Sequence, residues 1–262
     1  MKKVKTLILG LGNMGMLYDY NSKKNISHAS CLKKLGKKFD IIGGVDKDIK
    51  KLNLFKKKFK KPIFKNLKES FTNTNPDLII ISTSTEEHKK NIKDIIKYGK
   101  AKLILCEKPC SENLRDSLKI KNITKNSNVK IFVNYLRVNE KYFISAIKKF
   151  KGQKLTFNVF YNKGLIVNAT HFINFFTNLF GKPNMIDVRS IKMTEKDFKS
   201  NFIIKYSNVI VNFYHHKKYR NTFELKIEKK KFKFCACHKN SGKKDKIKYI
   251  KSFGNNLNLI ML

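Results

Sequence analysis

The feature that most restricts what this chain can fold into lies at its start. Val4 to Leu9 is a short apolar strand that runs directly into Gly10-Leu11-Gly12-Asn13-Met14-Gly15. A strand followed by glycines at this spacing reads as the opening of a βαβ unit. The first glycine makes the tight turn, the second lets backbone approach a pyrophosphate, and the third lets helix pack on strand. The helix that follows then turns its free N–H groups toward the phosphates. A tight strand-to-helix turn with no ligand is the alternative, and the next elements weigh against it.

A second strand, Phe39 to Val45, ends in Asp46. A carboxylate at that tip suits the two ribose hydroxyls of NAD and repels the 2′-phosphate of NADP. Asp46 lies farther from the glycines than the usual ~20 residues. The polar segment Asn21 to Ser27 is therefore expected to be an inserted loop before a helix containing Leu32 and Leu35. A turn aspartate that merely closes the strand is the competing reading.

Strand and helix signals alternate through the first half. Apolar runs stand at Val4 to Leu9, Phe39 to Val45, Leu78 to Ile81, Leu103 to Cys106 and Ile131 to Val133. Between them lie helix-period stretches such as Leu52, Phe55 and Phe59, or His88, Ile92, Ile95 and Ile96, with lysines on the other face. Short, nearly continuous apolar strands alternating with helices mean a parallel sheet covered on both faces. Ligands of such a sheet bind beyond the carboxyl ends of its strands.

From about residue 154 the texture changes to longer segments rich in aromatic and β-branched residues: Leu155 to Tyr161, Asn184 to Lys192, Phe198 to Tyr206, Val209 to His215, Thr222 to Ile227 and Lys231 to Cys235. Turns such as Tyr206-Ser207-Asn208 separate them, as in an antiparallel meander. One helix interrupts, with Phe172, Phe175, Phe176 and Leu179 on a single face and Gly181 and Pro183 as its stop. Those aromatics are assigned to a core rather than to a ligand cage.

At 262 residues the chain can bury two modest cores. It contains no 18-residue apolar run, and its lysine-dotted N-terminus is already a core strand, so neither a membrane span nor a signal peptide is expected. The reading is a soluble, cytoplasmic protein. The net charge of +39 raises the question of a nucleic-acid or anionic-membrane partner. Only four of the 58 basic residues are arginine, whereas evolved phosphate and base readout favours the bidentate guanidinium. The lysine excess coincides with abundant Asn, Ile and Phe and no Trp, which is what an AT-rich genome writes into a solvated surface. Lysine stems lie along apolar surface with their charges in water, so the fold tolerates them. The five cysteines, Cys31, Cys106, Cys110, Cys235 and Cys237, do not form paired C-x-x-C knuckles. Cys235-Ala236-Cys237-His238 fits alternate faces of a strand better than a tetrahedral metal site, so no metal is expected and the thiols are taken as reduced.

Leu103-Ile104-Leu105-Cys106-Glu107-Lys108-Pro109 places a lysine just past the carboxyl end of a buried strand. A lysine held there by backbone, beside an acid and ahead of a proline, can donate to a substrate hydroxyl or move a proton. Taken alone it is one exposed lysine among many.

The glycine turn, Asp46, the stretch Leu78 to His88 (LIIISTSTEEH) and CEKP, in this order and spacing, resemble the Gfo/Idh/MocA family of NAD(P)-dependent oxidoreductases. The resemblance is carried by motifs over residues 1 to 181 and continues more loosely to the C-terminus. It implies an N-terminal Rossmann domain with a doubly wound parallel sheet over residues 1–136. An α+β substrate and oligomerisation domain with an open, mostly antiparallel sheet is implied over 137–262. Gly10, Gly12 and Gly15, with Asn13 and Met14 between them, become the pyrophosphate turn, and Asp46 the ribose acid. Ser82, Thr83 and His88 fall where the loop after the fourth strand borders the cofactor. Glu107 and Lys108 match the EKP motif, in which the lysine is the usual proton-transfer residue and the Lys-Pro bond is often cis.

Val133-Asn134-Tyr135-Leu136-Arg137 resembles the segment that leaves the nucleotide domain beside the substrate, which makes Tyr135 and Arg137 candidate substrate contacts. Asn168-Ala169-Thr170-His171 resembles the helix start whose histidine points into the site. Asn168 is expected to cap that helix and contact substrate, with His171 one turn in and suited to proton traffic. Two positions depart from the family pattern. Val167 stands where many members have an aspartate four residues before the histidine, and Asn174 where another stands three after it. The chain is also shorter than many relatives.

The resulting expectation is hydride transfer between nicotinamide and a hydroxyl or ketone carbon of a sugar, nucleotide sugar or cyclitol, with Lys108 and His171 as catalytic residues. The cofactor would be NAD in preference to NADP, and a homo-oligomer would form through the open sheet. A non-catalytic dinucleotide-binding regulator on the same fold is the first alternative, and a polyanion-binding protein the second.

Overall fold

The structure is a computed structural model that describes residues 2–99, 101–139, 152–195, 197–216, 222–227, 230–235 and 248–250. The chain forms two compact units, Met1–Asn134 and Tyr135–Leu262.

Unit 1 contains β1 (Val4–Leu9), α1 (His28–Lys34), β2 (Phe39–Val45), α2 (Ile49–Phe59), β3 (Ile63–Phe64), α3 (Leu67–Asn73), β4 (Leu78–Ile81), α4 (Thr85–Tyr98), β5 (Leu103–Cys106), α5 (Leu114–Lys125) and β6 (Lys130–Val133). Its six strands are parallel in the order β3-β2-β1-β4-β5-β6, a Rossmann doubly wound sheet whose direction of winding reverses between β1 and β4. The two-residue β3 carries no periodicity and was not expected from the sequence.

Alternation along the strands sends Leu7, Leu9, Ile79 and Ile81 to one face and Ile8 and Ile80 to the other. On the first face they pack with Leu67 of α3, Ile92 and Ile95 of α4 and Ile120 of α5. On the second they meet Leu32 of α1 and Leu52, Phe55 and Phe59 of α2. Helix α2 has a clear start and stop. The Asp48 side chain accepts from the Lys50 N–H at 2.8 Å, Lys56, Lys57 and Lys58 crowd the negative end of the helix dipole, and Lys60 closes it with φ of 51°.

The entry to α1 differs from the expected glycine-turn-to-helix step. The backbone leaves the glycine turn at Met16, passes through a short 3-10 turn (Leu17–Asp19), and returns at His28. There the His28 N–H donates to the Met14 carbonyl at 2.9 Å and the Ala29 N–H to the Gly15 carbonyl at 3.0 Å. Helix α1 thus stacks on the glycine turn as though Met16 to Ser27 had been looped out, which explains the long separation between the glycines and Asp46. Asp19, 1 % exposed, staples the excursion. Its carboxylate accepts from Ser27 Oγ at 2.5 Å, Ser30 Oγ at 2.9 Å and the Ile26 N–H at 2.6 Å. Burial works against its ionised form, but these hydrogen bonds outweigh it and hold the carboxyl below its ordinary range. Leu35, expected inside the helix, is instead its exposed C-cap residue, because the short helix ends after two turns.

Unit 2 contains β7 (Leu155–Tyr161), α6 (Thr170–Phe180), β8 (Met185–Met193), β9 (Phe198–Lys205), β10 (Val209–His215), β11 (Thr222–Ile227), β12 (Lys230–Cys235) and β13 (Lys248–Ile250). They form one sheet in the order β13-β12-β11-β7-β10-β9-β8, antiparallel at every pairing except β7 with β10. Leu155, Phe157, Val159 and Tyr161 alternate inward along β7 and join Phe202, Val211 and Phe213 in a core closed by Phe172, Phe175 and Phe176 of α6. The aromatic stripe of α6 is core, as its spacing predicts, and Gly181 (φ 82°) ends the helix with its N–H on the Thr177 carbonyl.

Candidate functional site

The register of unit 1 gathers its polar residues into a row. Leu9 pairs with both Val45 and Ile81, Ile81 with Cys106, and Cys106 with Val133. The ladder runs one rung further: Gly10, Ser82, Glu107 and Asn134 each donate their N–H to the last residue of a neighbouring strand, at 2.8 to 2.9 Å. Gly10, Asp46, Ser82, Glu107 and Asn134 are therefore the first residues beyond five aligned strand ends. This is the edge where ligands of an open parallel sheet bind.

Backbone contacts explain two of the glycines. Gly10 has φ of +90°, and a Cβ there would lie 2.6 Å from Ser82 and Thr83 backbone atoms. A Cβ on Gly15 would run into the Gly10 carbonyl. Gly12 differs, since a Cβ there would meet nothing within 4 Å. Its open side belongs to a cavity of about 570 Å³ lined also by Gly10, Asp46, Lys47, Lys51, Lys65, Lys68, Ser82, Thr83 and Lys90. That volume falls in the range of small-molecule and cofactor sites. Free backbone at Gly12, the Asp46 carboxylate and the Lys51, Lys65, Lys68 and Lys90 ammonium groups, with Asp48, Glu87 and Asp94 also lining the cavity, fit the pyrophosphate and ribose of a dinucleotide.

Asp46 reaches back to the glycine turn. Its Oδ2 accepts from the Leu11 N–H at 2.7 Å and its Oδ1 from the Asp48 N–H at 2.9 Å, with Lys51 Nζ 3.9 Å away. A carboxylate has about four lone-pair sites, so both oxygens retain capacity for ribose hydroxyls. Lys47 is paired with Glu87. Ser82 Oγ donates to the Gly10 carbonyl at 2.7 Å, and Thr83 Oγ1 accepts from Asn91 Nδ2 at 3.1 Å. Asn13 is exposed and Met14 half-buried.

Glu107 and His88 are buried, at 9 % and 1 % exposure, and each engages protein groups. Glu107 Oε1 lies 2.8 Å from His28 Nε2 and accepts from Asn134 Nδ2 at 2.6 Å. Burial alone would raise the Glu107 carboxyl, but hydrogen bonds from His28, Asn134 and the Lys108 N–H, with the His28 charge, bring it below the ordinary glutamate range. His88 Nδ1 lies 3.0 Å from the Pro109 carbonyl and Nε2 3.1 Å from that of Thr83. Lys108 is half-buried between these anchors, and the Lys108–Pro109 bond is cis. The Cys106 and Cys110 thiols flank the turn and hydrogen-bond to each other, which pushes Cys106 up and draws Cys110 down.

His28 and Asp19 were not singled out from the sequence. A histidine and an aspartate at either side of a polar loop carry no spacing signal; only the return of α1 onto the glycine turn gives them partners.

In unit 2, His171 is the second residue of α6 and its ring meets Tyr135 edge-on, with centroids 5.8 Å apart. The expected cap is corrected. Leu165–Ala169 form a π-helical turn, Ala169 stands at the N-cap with no side-chain bond, and Asn168 Oδ1 instead accepts from the Lys163 N–H at 3.1 Å. Asp197 satisfies the turn from 30 residues away, accepting from the Ile166 and Val167 N–H groups at 2.8 and 3.0 Å. With those donors already taken and its side chain buried, Asn168 has no helix end left to cap. Val167 is exposed and Asn174 half-buried on α6. The Arg137 side chain, Cys237 and His238 lie outside what the structure describes. Among the described residues there is no cluster of three His, Cys, Asp or Glu suited to a metal, and no helix long and apolar enough to cross a membrane.

The family model described as an oxidoreductase family with an NAD-binding Rossmann fold, Gfo/Idh/MocA, matches residues 4–135. No match was found among the curated proteins. Several solved structures share the fold. The WlbA dehydrogenase from Chromobacterium violaceum in complex with NADH and UDP-GlcNAcA is 15% identical, with a TM-score of 0.71 over 89% of this chain and 74% of that one. The myo-inositol 2-dehydrogenase from Lactobacillus plantarum is 16% identical, with a TM-score of 0.72 over 88% and 76%. An oxidoreductase from Agrobacterium radiobacter in complex with NAD+, L-tartaric acid and magnesium is 15% identical, with a TM-score of 0.71 over 88% and 74%.

Proposed function

This chain belongs to the Gfo/Idh/MocA oxidoreductase family with the NAD-binding Rossmann fold, and on that premise we propose that it is a cytoplasmic NAD(H)-dependent oxidoreductase acting on a hydroxyl or ketone carbon of a sugar, nucleotide sugar or cyclitol. The observation that carries this reading is the row of Gly10, Asp46, Ser82 and Glu107 at aligned strand ends, with Lys108 as the next residue. In this reading the nicotinamide, when bound, supplies the hydride acceptor or donor. Gly10, Gly12 and Gly15, with Asn13 and Met14, cradle the pyrophosphate by backbone; Asp46 accepts from the ribose hydroxyls; and Ser82 and Thr83 border the ring-side of the cleft. His88 and Glu107 act through the turns they hold. Lys108 gives or takes the hydroxyl proton at Nζ, with His171 assisting, and Tyr135, Arg137 and Asn168 belong to the substrate side. The sugar-like substrate class is supported by the dehydrogenases that share the fold, among them one in complex with NADH and UDP-GlcNAcA and a myo-inositol 2-dehydrogenase.

The test is a screen of sugars, nucleotide sugars and inositols with NAD, followed by Lys108→Met on whichever compound turns over. Methionine keeps the stem's volume and removes the donor, so turnover should fall roughly 10²-fold or more, the usual scale for a positioned acid or base, with NADH binding retained. Unchanged turnover in the variant removes Lys108 from the chemistry. Tight NADH binding with no turnover on any compound shifts the reading to a dinucleotide-binding regulator, for which Val167 and Asn174 in place of the family acids supply the reason.

Self-association is assigned to the open sheet of unit 2. There Phe160 and Tyr214 stack at 5.4 Å on the face away from α6, and Ile186, Val188 and Ile191 of β8 are exposed. Light scattering on the eluted protein, compared with a Tyr214→Glu variant, reads this directly.

A further inference from the structure

Lys108 stands between two residues that are each held by a buried histidine from a different part of unit 1. On its N-terminal side, Glu107 receives His28 Nε2 at 2.8 Å, and the same carboxylate takes Asn134 and the Lys108 backbone N–H. On its C-terminal side, the Pro109 carbonyl lies 3.0 Å from His88 Nδ1, and the Thr83 carbonyl lies 3.1 Å from His88 Nε2. One histidine comes from the first turn of α1, stacked on the glycine turn, and the other from the first turn of α4. Both are shielded from water: His88 is 1 % exposed and the His28 side chain 12 %.

A lysine is a compact charge on a flexible four-carbon stem, so its aim depends on how firmly its backbone is held. Misplacing a reacting group by about 1 Å can cost ~10²-fold in rate. We propose that His28 and His88 are positioning residues that clamp the turn on either side of Lys108 and so present its ammonium group in one orientation. His28 ties that turn to the cofactor's glycine turn, and His88 ties it to the loop after β4. The kinetic consequence rests on the oxidoreductase reading, but the orientation of Lys108 can be measured without any substrate.

The two histidines use different nitrogens, which gives a crossed test. Glutamine places its amide nitrogen near the position of Nε2, and asparagine near that of Nδ1. His28→Gln therefore retains the donor to Glu107 and His28→Asn loses it. At His88 the order reverses, because Asn retains the donor to Pro109 and Gln reaches toward Thr83 instead. The measurement is the acylation rate of Lys108 in the full-length protein with an N-hydroxysuccinimide ester, read by peptide mass spectrometry. Lys37 and Lys205, both exposed, serve as internal references. His28→Asn and His88→Gln should accelerate Lys108 about fivefold, the equivalent of one typical hydrogen bond, with the reference lysines unchanged. His28→Gln and His88→Asn should stay within about twofold of the native rate.

The proposal is overturned if the four variants leave Lys108 alike, or if Asn and Gln are ranked in the same order at both positions. A variant in which all lysines accelerate together has unfolded, and Glu107→Gln then takes its place. That variant removes the charge shared by His28, Asn134 and the Lys108 N–H, and it must accelerate Lys108 alone. Where the screen has supplied a substrate, the disruptive variants should lower kcat about tenfold and leave KM for NAD within about twofold. A screen that finds no substrate counts against the oxidoreductase reading and leaves the labelling result to decide the clamp.

Discussion

In unit 1 helices cover both faces of the sheet, so its central strands are apolar on both sides, and Asp46, Ser82, Glu107 and Asn134 stand beyond strand ends. In unit 2 one helix, α6, closes a single aromatic face. Among the described residues, the opposite face of β7 and β10 holds Asn158, Asn212, Phe160 and Tyr214, partly open to water. The first arrangement puts the row that the parallel register lines up beside the cavity of about 570 Å³. The second leaves a broad face whose use depends on what meets it. The difference shows why the placement of Gly10, Asp46, Ser82 and Glu107 in unit 1 follows from backbone hydrogen bonds, while that of His171 in unit 2 depends on a turn held by Asp197 from a distant segment.

The largest expected effect tests the one-sided core. Phe157 is fully buried against Phe176, with ring centroids 4.8 Å apart, and Phe157→Ala should cost about 3–5 kcal/mol in urea unfolding. Phe160→Ala, on the opposite face of the same strand, should cost well under half of that. Equal costs would break the comparison and point to an occupied second face.

Next in size is a pair of glycine variants that separates fold from ligand in unit 1. Gly10→Ala meets Ser82 and Thr83 backbone at a positive φ and should destabilise the protein by about 1–3 kcal/mol. Gly12→Ala, with open space at its Cβ, should stay within about 0.5 kcal/mol of native stability. Calorimetric NADH titration should nonetheless find its affinity reduced at least about tenfold, a loss of ~1.4 kcal/mol. Undiminished NADH affinity in Gly12→Ala would remove this glycine from the pyrophosphate site.

Comparable in size is cofactor choice. Asp46 should hold NADP(H) binding at least ~1.4 kcal/mol, one decade in affinity, weaker than NAD(H), as measured by titrating both. Equal binding would mean that Lys47, Lys51 and Lys65 around the cavity accommodate the 2′-phosphate and that Asp46 serves only the glycine turn.

The smallest effect is on the acid limb of stability. The Glu107 carboxyl is held below its ordinary range in the folded state. It therefore contributes stability above the unfolded value of about 4.3 that is lost as pH falls through the folded value. The stability gap between native protein and Glu107→Gln should narrow as urea midpoints are followed from neutral pH down through that range. A gap that stays constant would mean that the carboxylate charge contributes nothing to the ladder end.

Much of unit 1 was legible because its determinants are local. Gly10 is required by a positive φ and a close backbone approach, the alternation of Leu7, Ile8 and Leu9 announces two covered faces, and a buried strand ending in Cys106 puts Glu107 and Lys108 at an edge. The cap of α6 was misread because Asn168 looked sufficient from its neighbours alone. The actual acceptor, Asp197, lies in a different segment, and no periodicity links the two. Leu35 was misassigned for a related reason, since the length of α1 is set by where it lands on the glycine turn and not by its own pattern.

By itself the sequence determined the alternation of strands and helices in unit 1 apart from β3, the glycine turn, the acid that follows β2 and the lysine that follows β5, because each depends on residues within one turn or one strand of itself. Tertiary structure alone decided that strand ends line up into a single row, that Met16 to Ser27 is looped out, and that His28 meets Glu107 across 79 residues of chain. Such contacts depend on sheet register and helix stacking, which many weak, distant interactions settle together, and no short window of sequence contains them.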